Sequence, residues 1–527
     1  MKGSITRLAV LAVVALAATA LAGTASAATY VVLYKQEATS SDLGARVAMA
    51  GGTLVATYDR IGVAIAESDS PTFAQAFGND SRIEAVAAST QPVAKVEPLE
   101  AAAADDASPA LPNAPATEDS LAPLQWDMRQ IHAPEAHAIT GGSPAVVVGD
   151  IDTGLDKDHP DLVQNIDFSR SVSCESGAPV TDPAAWDDHN GHGTHTAGTI
   201  AAASNGFGTT GVAPNVKIAG IKSSNNSGFF FSHMVICAFM WAGSHQIDVT
   251  NNSYFMDPYL YNCRNDPTQR ALWKAAKRAV AYAVKQGVTN VAALGNEADD
   301  LAHPTVDVIS PDFPPGSEQE REITNNCVVI PVEVPGVVGV SAVGNTMQVD
   351  GDGDPTDYLK SYYSSYGAGV TDVTAPGGDF YYGRGTDGGP FGLVLSTWPA
   401  EIGGSRRVIE NGVVYRYLQG TSMASPHAAG VAALIVSRFG DLKNAQNGKM
   451  APGAVAALLQ GTADAQPCPT ELPLNGAPGS ALQDTPYAEI TRPDGSLQQC
   501  QGGAGNNSWY GSGQIDALRA VLHETGG

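Results

Sequence analysis

Hydrophobic positions follow two different patterns along the chain. Within residues 29–89, a strand pattern occurs in TYVVLYK, GGTLVATYDRIGVAIAES and RIEAVAAS, and a helix pattern occurs in SSDLGARVAMAG and PTFAQAF. The resulting order β-α-β-β-α-β is typical of a small split β-α-β domain. This segment contains no cluster of catalytic residue types, which indicates a binding module or a folding chaperone.

Beyond residue 123 the predicted strands are apolar throughout and alternate with helices. The strand segments are AVVVGDID, VKIAGIK, IDVTNNS and VTNVAALGNE, and the helical segments are HGTHTAGTIAAA, SHMVICAFMWAGSHQ and LWKAAKRAVAYAVKQG. Such strands predict an α/β fold in which a parallel β-sheet is flanked by helices on both faces. Ligands of these folds bind beyond the carboxyl ends of the strands. A last strand and helix are predicted in WYGSGQIDALRAV.

These patterns divide the chain into four segments. Lys2 and Arg7 precede an apolar run and a small-residue site, which predicts a signal peptide and export of the chain. A membrane anchor is the alternative, but the apolar run is short for a bilayer span. The segments are a signal peptide over 1–27, the small domain over 28–92, an exposed Ala-, Pro- and acid-rich linker over 93–122, and the large domain over 123–525.

Charge and cysteine content restrict the possible partners and compartment. A net charge of -25 disfavours nucleic acid and anionic membrane surfaces, because both attract positively charged proteins. The six cysteines form an even set that an exported chain would oxidise, and no Cys-x-x-Cys motif indicates zinc. Their pairing stays open, although Cys468 and Cys500 bracket a Pro- and Gly-rich stretch and are favoured as partners, and Cys263 with Cys327 is a second suggestion.

Four polar residues stand where apolar strands end or helices begin. They are Asp152 after AVVVGDI, His192 in DDHNGHGTHTAG, Asn296 in VAALGNEA and Ser422 in GTSMASPHAAG. Each also has an ordinary structural explanation: Asp152 and Asn296 as turn residues, His192 as a structural histidine, and Ser422 as a helix N-cap. His189 and His195 lie close enough in the sequence to compete with His192.

A parallel sheet would bring these four residues to one edge. There, Ser422 Oγ would attack a substrate carbonyl, His192 would take and return the proton, and Asp152 would hold the imidazole. The Asn296 amide would donate a hydrogen bond to the developing oxyanion. The order Asp, His, Ser differs from the Ser, Asp, His order of α/β-hydrolases, and the serine lacks their G-x-S-x-G context.

Four blocks of sequence resemble the subtilisin family of secreted serine peptidases. They are VVVGDIDTGLDKDHPDL, NGHGTHTAGTIAA, AALGNE and LQGTSMASPHAAGVAALI, and weaker matches extend from about Leu124 to about Val521. The resemblance implies a subtilisin-like fold in which the first His of HGTH, His192 rather than His195, is catalytic. It also implies that the first domain, of α+β ferredoxin-like type, is an inhibitory propeptide that assists folding and is removed by cleavage within residues 91–123.

The resemblance also implies substrate-binding residues. One wall corresponds to Ser253, Tyr254, Phe255 and Met256, and the opposite wall corresponds to Ala293, Leu294 and Gly295. Bulky Tyr254 and Phe255 replace small residues of the family and would reshape the pocket, whereas the second wall is small enough to admit an apolar side chain. The residue preference of the family therefore cannot be transferred to this chain.

Many relatives bind calcium, and the resemblance implies a structural calcium site here. The matching positions are Asp161 and Asn205, with the carbonyl groups of Ala203, Phe207 and Thr209; oxygen ligands suit calcium. The family's usual N-terminal side-chain ligand is not evident. A second acidic segment, VDGDGDPTD at 349–357, lacks the Gly and Glu of a calcium loop, which favours a solvated acidic loop.

The sequence therefore predicts a secreted serine endopeptidase that forms an acyl-enzyme, is made as an autoprocessed zymogen and needs no organic cofactor. The expected partners are protein or peptide substrates and the chain's own propeptide, and the expected oligomeric state is a monomer. No nucleic acid partner is expected, and no membrane partner after removal of the signal peptide. Three insertions, near 257–271, 297–327 and 466–507, would gate the cleft or brace the domain. A non-catalytic binding protein with the same fold and an esterase are the alternatives.

Overall fold

A computed structural model of the chain describes residues 27–89, 118–348, 357–383, 392–444, 448–476 and 481–525. Nearly all of the predicted signal peptide, most of the predicted linker and most of the acidic segment 349–357 lie outside the described residues. Within these ranges, no helix has the length and apolar character needed to cross a bilayer.

The N-terminal unit is a four-stranded antiparallel sheet with the strand order β2-β3-β1-β4. Its elements are β1 Ala28–Tyr34, α1 Leu43–Met49, β2 Gly52–Tyr58, β3 Val63–Ser68 and β4 Ile83–Ala88. They follow the predicted order, except that the second predicted helix is a single 3₁₀ turn at Ala74–Phe77. Pro71 and Gly78 leave too few residues between them for a stable α-helix.

The large unit contains most of the regular structure. Its helices are α2 Trp126–Gln130, α3 Ala133–His137, α4 Pro183–Trp186, α5 His192–Ala201, α6 Ser232–Ser244, α7 Pro267–Lys285, α8 Thr421–Phe439, α9 Pro452–Gly461 and α10 Ala517–Leu522. Its strands are β5 Val147–Asp152, β6 Val172–Ser173, β7 Lys217–Lys222, β8 Val249–Asn252, β9 Tyr261–Cys263, β10 Thr289–Ala293, β11 Val306–Asp307, β12 Arg321–Glu322, β13 Cys327–Val329, β14 Val337–Met347, β15 Tyr358–Lys360, β16 Val373–Pro376, β17 Val394–Thr397, β18 Arg407–Glu410, β19 Val413–Leu418, β20 Gly502–Gly503 and β21 Asn506–Asn507.

The central sheet has the order β15-β14-β10-β8-β5-β7-β6, and β16 also pairs with β14. Its strand pairs are parallel except for β14 with β15, which is antiparallel. The strand predicted in WYGSGQID is reduced to isolated bridges from Gln514 to Thr374 and Asp464. Gly511 and Gly513, with φ of 59° and 130°, turn the backbone away from an extended path at this point.

Side chains of β5 alternate between the two faces of the sheet. Val147 and Ile151 pack in the hydrophobic cluster that includes α6 and α7, whereas Val148 packs in the cluster that includes α5 and α8. Because side chains of a strand alternate with a period of two, Asp150 and Asp152 lie on the same face as Val148. Both carboxylates therefore face α5 and α8.

The N-terminal unit packs against α6 and α7 of the large unit. Val31 and Leu33 of β1 share a buried cluster with residues of these helices, while the alternate residues of β1 pack in the unit's own core. Arg278 Nη1 donates hydrogen bonds to the carbonyl oxygens of Tyr34 at 2.9 Å and Ile61 at 3.0 Å. At the end of the unit, Ser89 Oγ lies 2.7 Å from Ser232 Oγ at the start of α6.

Three disulfides connect the cysteines: Cys174–Cys237, Cys263–Cys327 and Cys468–Cys500. The second joins the insertions 257–271 and 297–327 through the paired strands β9 and β13. The third closes most of the insertion 466–507, which is also held by a hydrogen bond of 2.7 Å from buried Lys360 Nζ to Gln498 Oε1. Two of these pairs are the ones that the sequence favoured.

Candidate active site

Asp152 and His192 meet at the carboxyl edge of the central sheet. Asp152 ends β5 and is fully buried, and His192 is the first residue of α5. His192 Nδ1 donates a hydrogen bond of 2.7 Å to Asp152 Oδ1. Gly193 allows this approach, because a Cβ atom there would lie 2.2 Å from the carbonyl oxygen of Gly154. The interaction fixes the imidazole so that Nε2 is available to other groups.

A second carboxylate, Asp188, holds the backbone around this pair. Its Oδ1 accepts hydrogen bonds from Thr153 Oγ1 at 3.0 Å and from the amides of Asn190 and Gly191 at 2.9 Å. Its Oδ2 accepts from the amide and hydroxyl of Thr194 in the first turn of α5. Asp188 was not among the residues predicted from the sequence, although an acid shortly before a helix is a signal of N-terminal capping.

The other two histidines of the segment are placed differently. His195 is buried and its Nε2 donates to the carbonyl oxygen of Arg416 at 2.9 Å. Burial lowers the pKa of His195 to about 3, so that this ring is neutral and structural. His189 is exposed. Of the three, only His192 contacts a carboxylate.

Two opposing effects set the pKa of His192. Burial disfavours the imidazolium and lowers the pKa, while the charge and hydrogen bond of Asp152 favour it. The attraction to Asp152, together with that to the nearby acids Asp150 and Asp188, outweighs the effect of burial. The pKa of His192 is therefore raised above its ordinary value.

Ser422 is the second residue of α8 and opens into the same pocket as His192. Its hydroxyl donates to the carbonyl oxygen of Ser253 at 3.2 Å, and Ser253 Oγ donates to the carbonyl oxygen of Ser422 at 2.9 Å. The structure therefore joins His192 to Asp152 directly, whereas Ser422 shares their pocket with its hydroxyl turned to Ser253.

Asn296 lies just beyond β10 and is tied to the start of α8. Its Oδ1 accepts hydrogen bonds from the amide of Thr421 at 2.9 Å and from Thr421 Oγ1 at 3.0 Å. Thr421 Oγ1 in turn accepts from the amide of Gly295 at 3.1 Å. With its oxygen engaged, the Asn296 amide has its Nδ2 group left to donate to a ligand in the pocket.

The pocket at these residues has a volume of about 330 Å³. Among the predicted substrate-binding residues, Ser253, Tyr254, Phe255, Ala293 and Gly295 line it. Leu294 does not, because its side chain is fully buried in the hydrophobic core on the α6 and α7 side of the sheet. Phe230, which was not predicted from the sequence, also lines the pocket and stacks on Tyr254 with ring centroids 4.3 Å apart.

The residues predicted to bind calcium also come together. Asp161 is buried, its Oδ1 accepts from Asn205 Nδ2 at 3.2 Å, and its Oδ2 accepts from the amide of Thr209 at 2.9 Å. Ala203 and Phe207 belong to the same loop, and the Ala203 amide donates to the carbonyl oxygen of Asp161 at 2.8 Å. Burial raises the pKa of Asp161 to about 7.

A carboxylate from the stretch that precedes α2 contacts the same loop. Asp119 is 2% exposed and accepts hydrogen bonds from the amides of Asn205 and Gly206 and from Thr210 Oγ1. The sequence did not indicate this acid, which is a second buried carboxylate beside the loop that contacts Asp161. Within the described residues, no cluster of three or more His, Cys, Asp or Glu side chains could hold a metal. A cation here would depend on two carboxylates with backbone carbonyl groups, a donor set that fits calcium once the Asn205 amide turns its oxygen inward.

Comparison with known protein sequences identifies the family to which most of the large unit belongs. A family model described as the subtilase family matches residues 143–513. Subtilisin DY from Bacillus licheniformis is 31% identical over 302 residues, 57% of this chain and 80% of subtilisin DY. Subtilisin E from Bacillus subtilis (strain 168) is 30% identical over 325 residues, 61% of this chain and 64% of subtilisin E. Fervidolysin from Fervidobacterium pennivorans is 29% identical over 60% of this chain, which spans only 37% of fervidolysin.

Solved structures share the fold. The crystal structure of the epidermin leader peptide processing serine protease from Staphylococcus aureus matches with a TM-score of 0.62 and 22% identity, over 94% of this chain and 98% of that chain. The crystal structure of fervidolysin, described as a keratinolytic enzyme related to subtilisin, matches with a TM-score of 0.58 and 21% identity, over 94% of this chain and 61% of that chain. The predicted α/β fold is thereby confirmed.

Proposed function

Because the chain belongs to the subtilase family, we propose that it is a secreted serine endopeptidase with Ser422, His192 and Asp152 as its catalytic triad. The 2.7 Å hydrogen bond between His192 and Asp152, in the pocket that also contains Ser422, is the observation that supports this activity most directly. The substrates are proteins or peptides, and no organic cofactor takes part.

In this mechanism, the Ser422 hydroxyl turns from the Ser253 carbonyl towards His192 Nε2. His192 accepts the proton as Ser422 Oγ attacks the carbonyl carbon of the substrate, and Asp152 stabilises the imidazolium. The imidazolium then protonates the leaving amine, and the C–N bond breaks to give the acyl-enzyme. A water molecule, deprotonated by His192, releases the acid product and restores Ser422.

The test of this function needs the mature protein and two measurements. It should hydrolyse unfolded casein, and a fluorophosphonate should label Ser422, as located by mass spectrometry of tryptic peptides. Heat-unfolded protein serves as the control for non-specific labelling. If the mature protein neither cleaves casein nor is labelled at Ser422, the proposal is wrong.

Asn296 is proposed as the oxyanion donor. Its replacement by aspartate tests this role, because it removes the Nδ2 donor and keeps an oxygen acceptor at the position of Oδ1. The introduced carboxylate would still accept from Thr421 but could not donate, so Asn296→Asp should lower kcat by about 100- to 1,000-fold with little change in KM. Steady-state kinetics on a peptide substrate measure this. Asn325→Asp, an exposed control, should leave kcat unchanged; a loss of kcat below tenfold for Asn296→Asp would exclude the role.

The N-terminal unit is proposed to inhibit the peptidase before its removal. Its contacts with α6 and α7 support this role, because Ser89, its last described residue, lies next to Ser232, two residues from the pocket residue Phe230. Cleavage in the segment 91–123 would then release the unit. The predicted signal peptide and the three disulfides support maturation outside the cytoplasm.

Calcium is proposed to bind at Asp161, Asp119, Asn205 and the carbonyl groups of Ala203, Phe207 and Thr209. It would neutralise two buried carboxylates and fix the loop, and it would contribute about 2.7 kcal/mol of stability at a concentration of 100 times Kd. We therefore expect a chelator to lower the Tm by several degrees.

Asp161→Asn should abolish the difference in Tm between calcium and chelator, because one of the two charges that hold the ion is gone. Asp158→Asn, an exposed control in the same loop, should keep it. Differential scanning calorimetry measures both. An unchanged calcium response in Asp161→Asn would show that calcium binds elsewhere.

A further inference from the structure

The pocket that contains Ser422 is acidic on the side formed by the two insertions. Asp257 begins the first insertion and Asp312 lies in the second, and both line the pocket. The insertions hold each other there: the Asp312 amide donates to the carbonyl oxygen of Pro258 at 3.1 Å, and the Leu260 amide donates to Ser310 Oγ at 2.8 Å. The acids are therefore fixed by backbone contacts and belong to the wall of the pocket.

The two carboxyl groups are hydrogen-bonded to each other and leave one acceptor without a partner. Asp257 is 5% exposed, and its Oδ2 accepts from the amide of Phe230. Burial and the charge of Asp312 raise the pKa of Asp257 far above its usual range, and burial also raises the pKa of Asp312, so that the hydrogen-bonded pair shares one proton and one negative charge. Asp312 Oδ1 is buried and has no hydrogen-bond partner among the described residues.

Among the described residues that line the pocket, the one group able to carry a positive charge is His192, and it is already paired with Asp152. None of the described residues that line the pocket is Lys or Arg, and its only other ionisable groups are His192, the Tyr254 hydroxyl and Glu297. Glu297 follows Asn296, and burial raises its pKa to about 7, so that it adds negative charge as the pH rises above neutral. A buried carboxylate oxygen without a partner is costly in an empty pocket, and a cation that entered would relieve that cost.

From this arrangement we infer that the pocket binds a lysine or arginine side chain of the substrate, with Asp312 and Asp257 as the specificity-determining residues. The inference rests on the proposed peptidase function and names the substrate class for the same site. The aliphatic stem of the basic residue would pack against the aromatic wall of Phe230, Tyr254 and Phe255, while its charged end reaches the carboxyl pair. An apolar side chain would instead bury the carboxyl pair and leave Asp312 Oδ1 without a partner.

The chain itself contains a substrate sequence that suits this pocket. Between Ser89 and Arg129, Lys95 is the only basic residue. Ser89 lies beside Ser232, and Phe231, the preceding residue, forms a β-bridge with Asp257. The synthetic peptide QPVAKVEPLE, residues 91–100, is therefore the natural first probe.

The experiment compares this peptide with the same peptide carrying norleucine in place of Lys95, which keeps the aliphatic stem and removes the charge. The mature enzyme should cleave the lysine peptide with at least about tenfold higher kcat/KM, and mass spectrometry of the products should place the cut next to the basic residue. Asp312→Asn should reduce the lysine-to-norleucine ratio to near one. Glu320→Gln, an exposed control in the same insertion, should keep the ratio.

Equal cleavage of the two peptides by the unaltered enzyme would overturn the inference without any variant. An unchanged ratio in Asp312→Asn, with the same result in Asp257→Asn, would also overturn it, since another group would then bind the cation. Failure of the proposed function looks different: neither peptide nor casein is cleaved, and the fluorophosphonate does not label Ser422.

Discussion

Ser422→Ala is expected to lower kcat about a millionfold and to leave the precursor uncleaved. Without Oγ there is no nucleophile to form the acyl-enzyme, and the remaining members of the triad cannot act alone, so the loss equals that of the whole triad. Residual turnover would come from the oxyanion donors and substrate binding. The measurements are peptide kinetics and the mass of the secreted protein, which should retain the N-terminal unit.

Ser437→Ala provides the matched control for this variant. Ser437 lies on the same helix, α8, where its hydroxyl accepts a hydrogen bond from the Ser143 amide at 3.1 Å, far along the helix from the pocket. It should be processed and active. If Ser422→Ala still processes itself and cleaves casein at the unaltered rate, the catalytic group lies elsewhere.

Asp152→Asn is expected to lower kcat about 10,000-fold while preserving the fold. The amide can keep the hydrogen bond to His192 Nδ1 only by favouring the wrong tautomer, and it no longer stabilises the imidazolium. Asp182→Asn is a suitable control, because Asp182 caps α4 at an exposed position and Asn caps equally well. A loss below a hundredfold would argue against the triad.

The pH profile provides an independent readout of Asp152→Asn. His192 must be neutral to accept the serine proton, so activity is lost as the pH falls through the pKa of His192. Asp152 contributes to raising this pKa in the unaltered enzyme, whereas burial lowers it. Removal of the charge should therefore shift the acidic limb of kcat/KM to lower pH. A limb that does not move would show that another group titrates there.

The position of the proposed catalytic residues at one edge of the sheet was predictable because they begin or end regular elements. Asp152 ends a fully buried strand, and His192 and Ser422 lie at the start of helices rich in small residues, so that the topology alone brings these segments together. Even so, the sequence could not show that the Ser422 hydroxyl bonds to Ser253. The rotamer of a hydroxyl depends on acceptors contributed by other parts of the chain.

The acidic wall of the pocket could not be predicted. Asp312 lies in a Pro-rich segment without hydrophobic periodicity, and its contact with Pro258 joins parts of the chain that no local pattern relates. Asp119 was missed for the same reason, since its loop partners lie more than eighty residues later. The resemblance implied that Leu294 belongs to the pocket wall, but Leu294 directly follows β10 and its side chain is buried in the hydrophobic core.

The disulfide between Cys263 and Cys327 also has a consequence for protein engineering. It links the two insertions that supply Asp257 and Asp312, both of which lie outside the central sheet. Transplanting one insertion into a relative would leave a cysteine unpaired and a carboxyl group without its neighbour. The two insertions therefore form one structural unit. They have to be exchanged together if the cleavage preference of this protein is to be changed by replacing them.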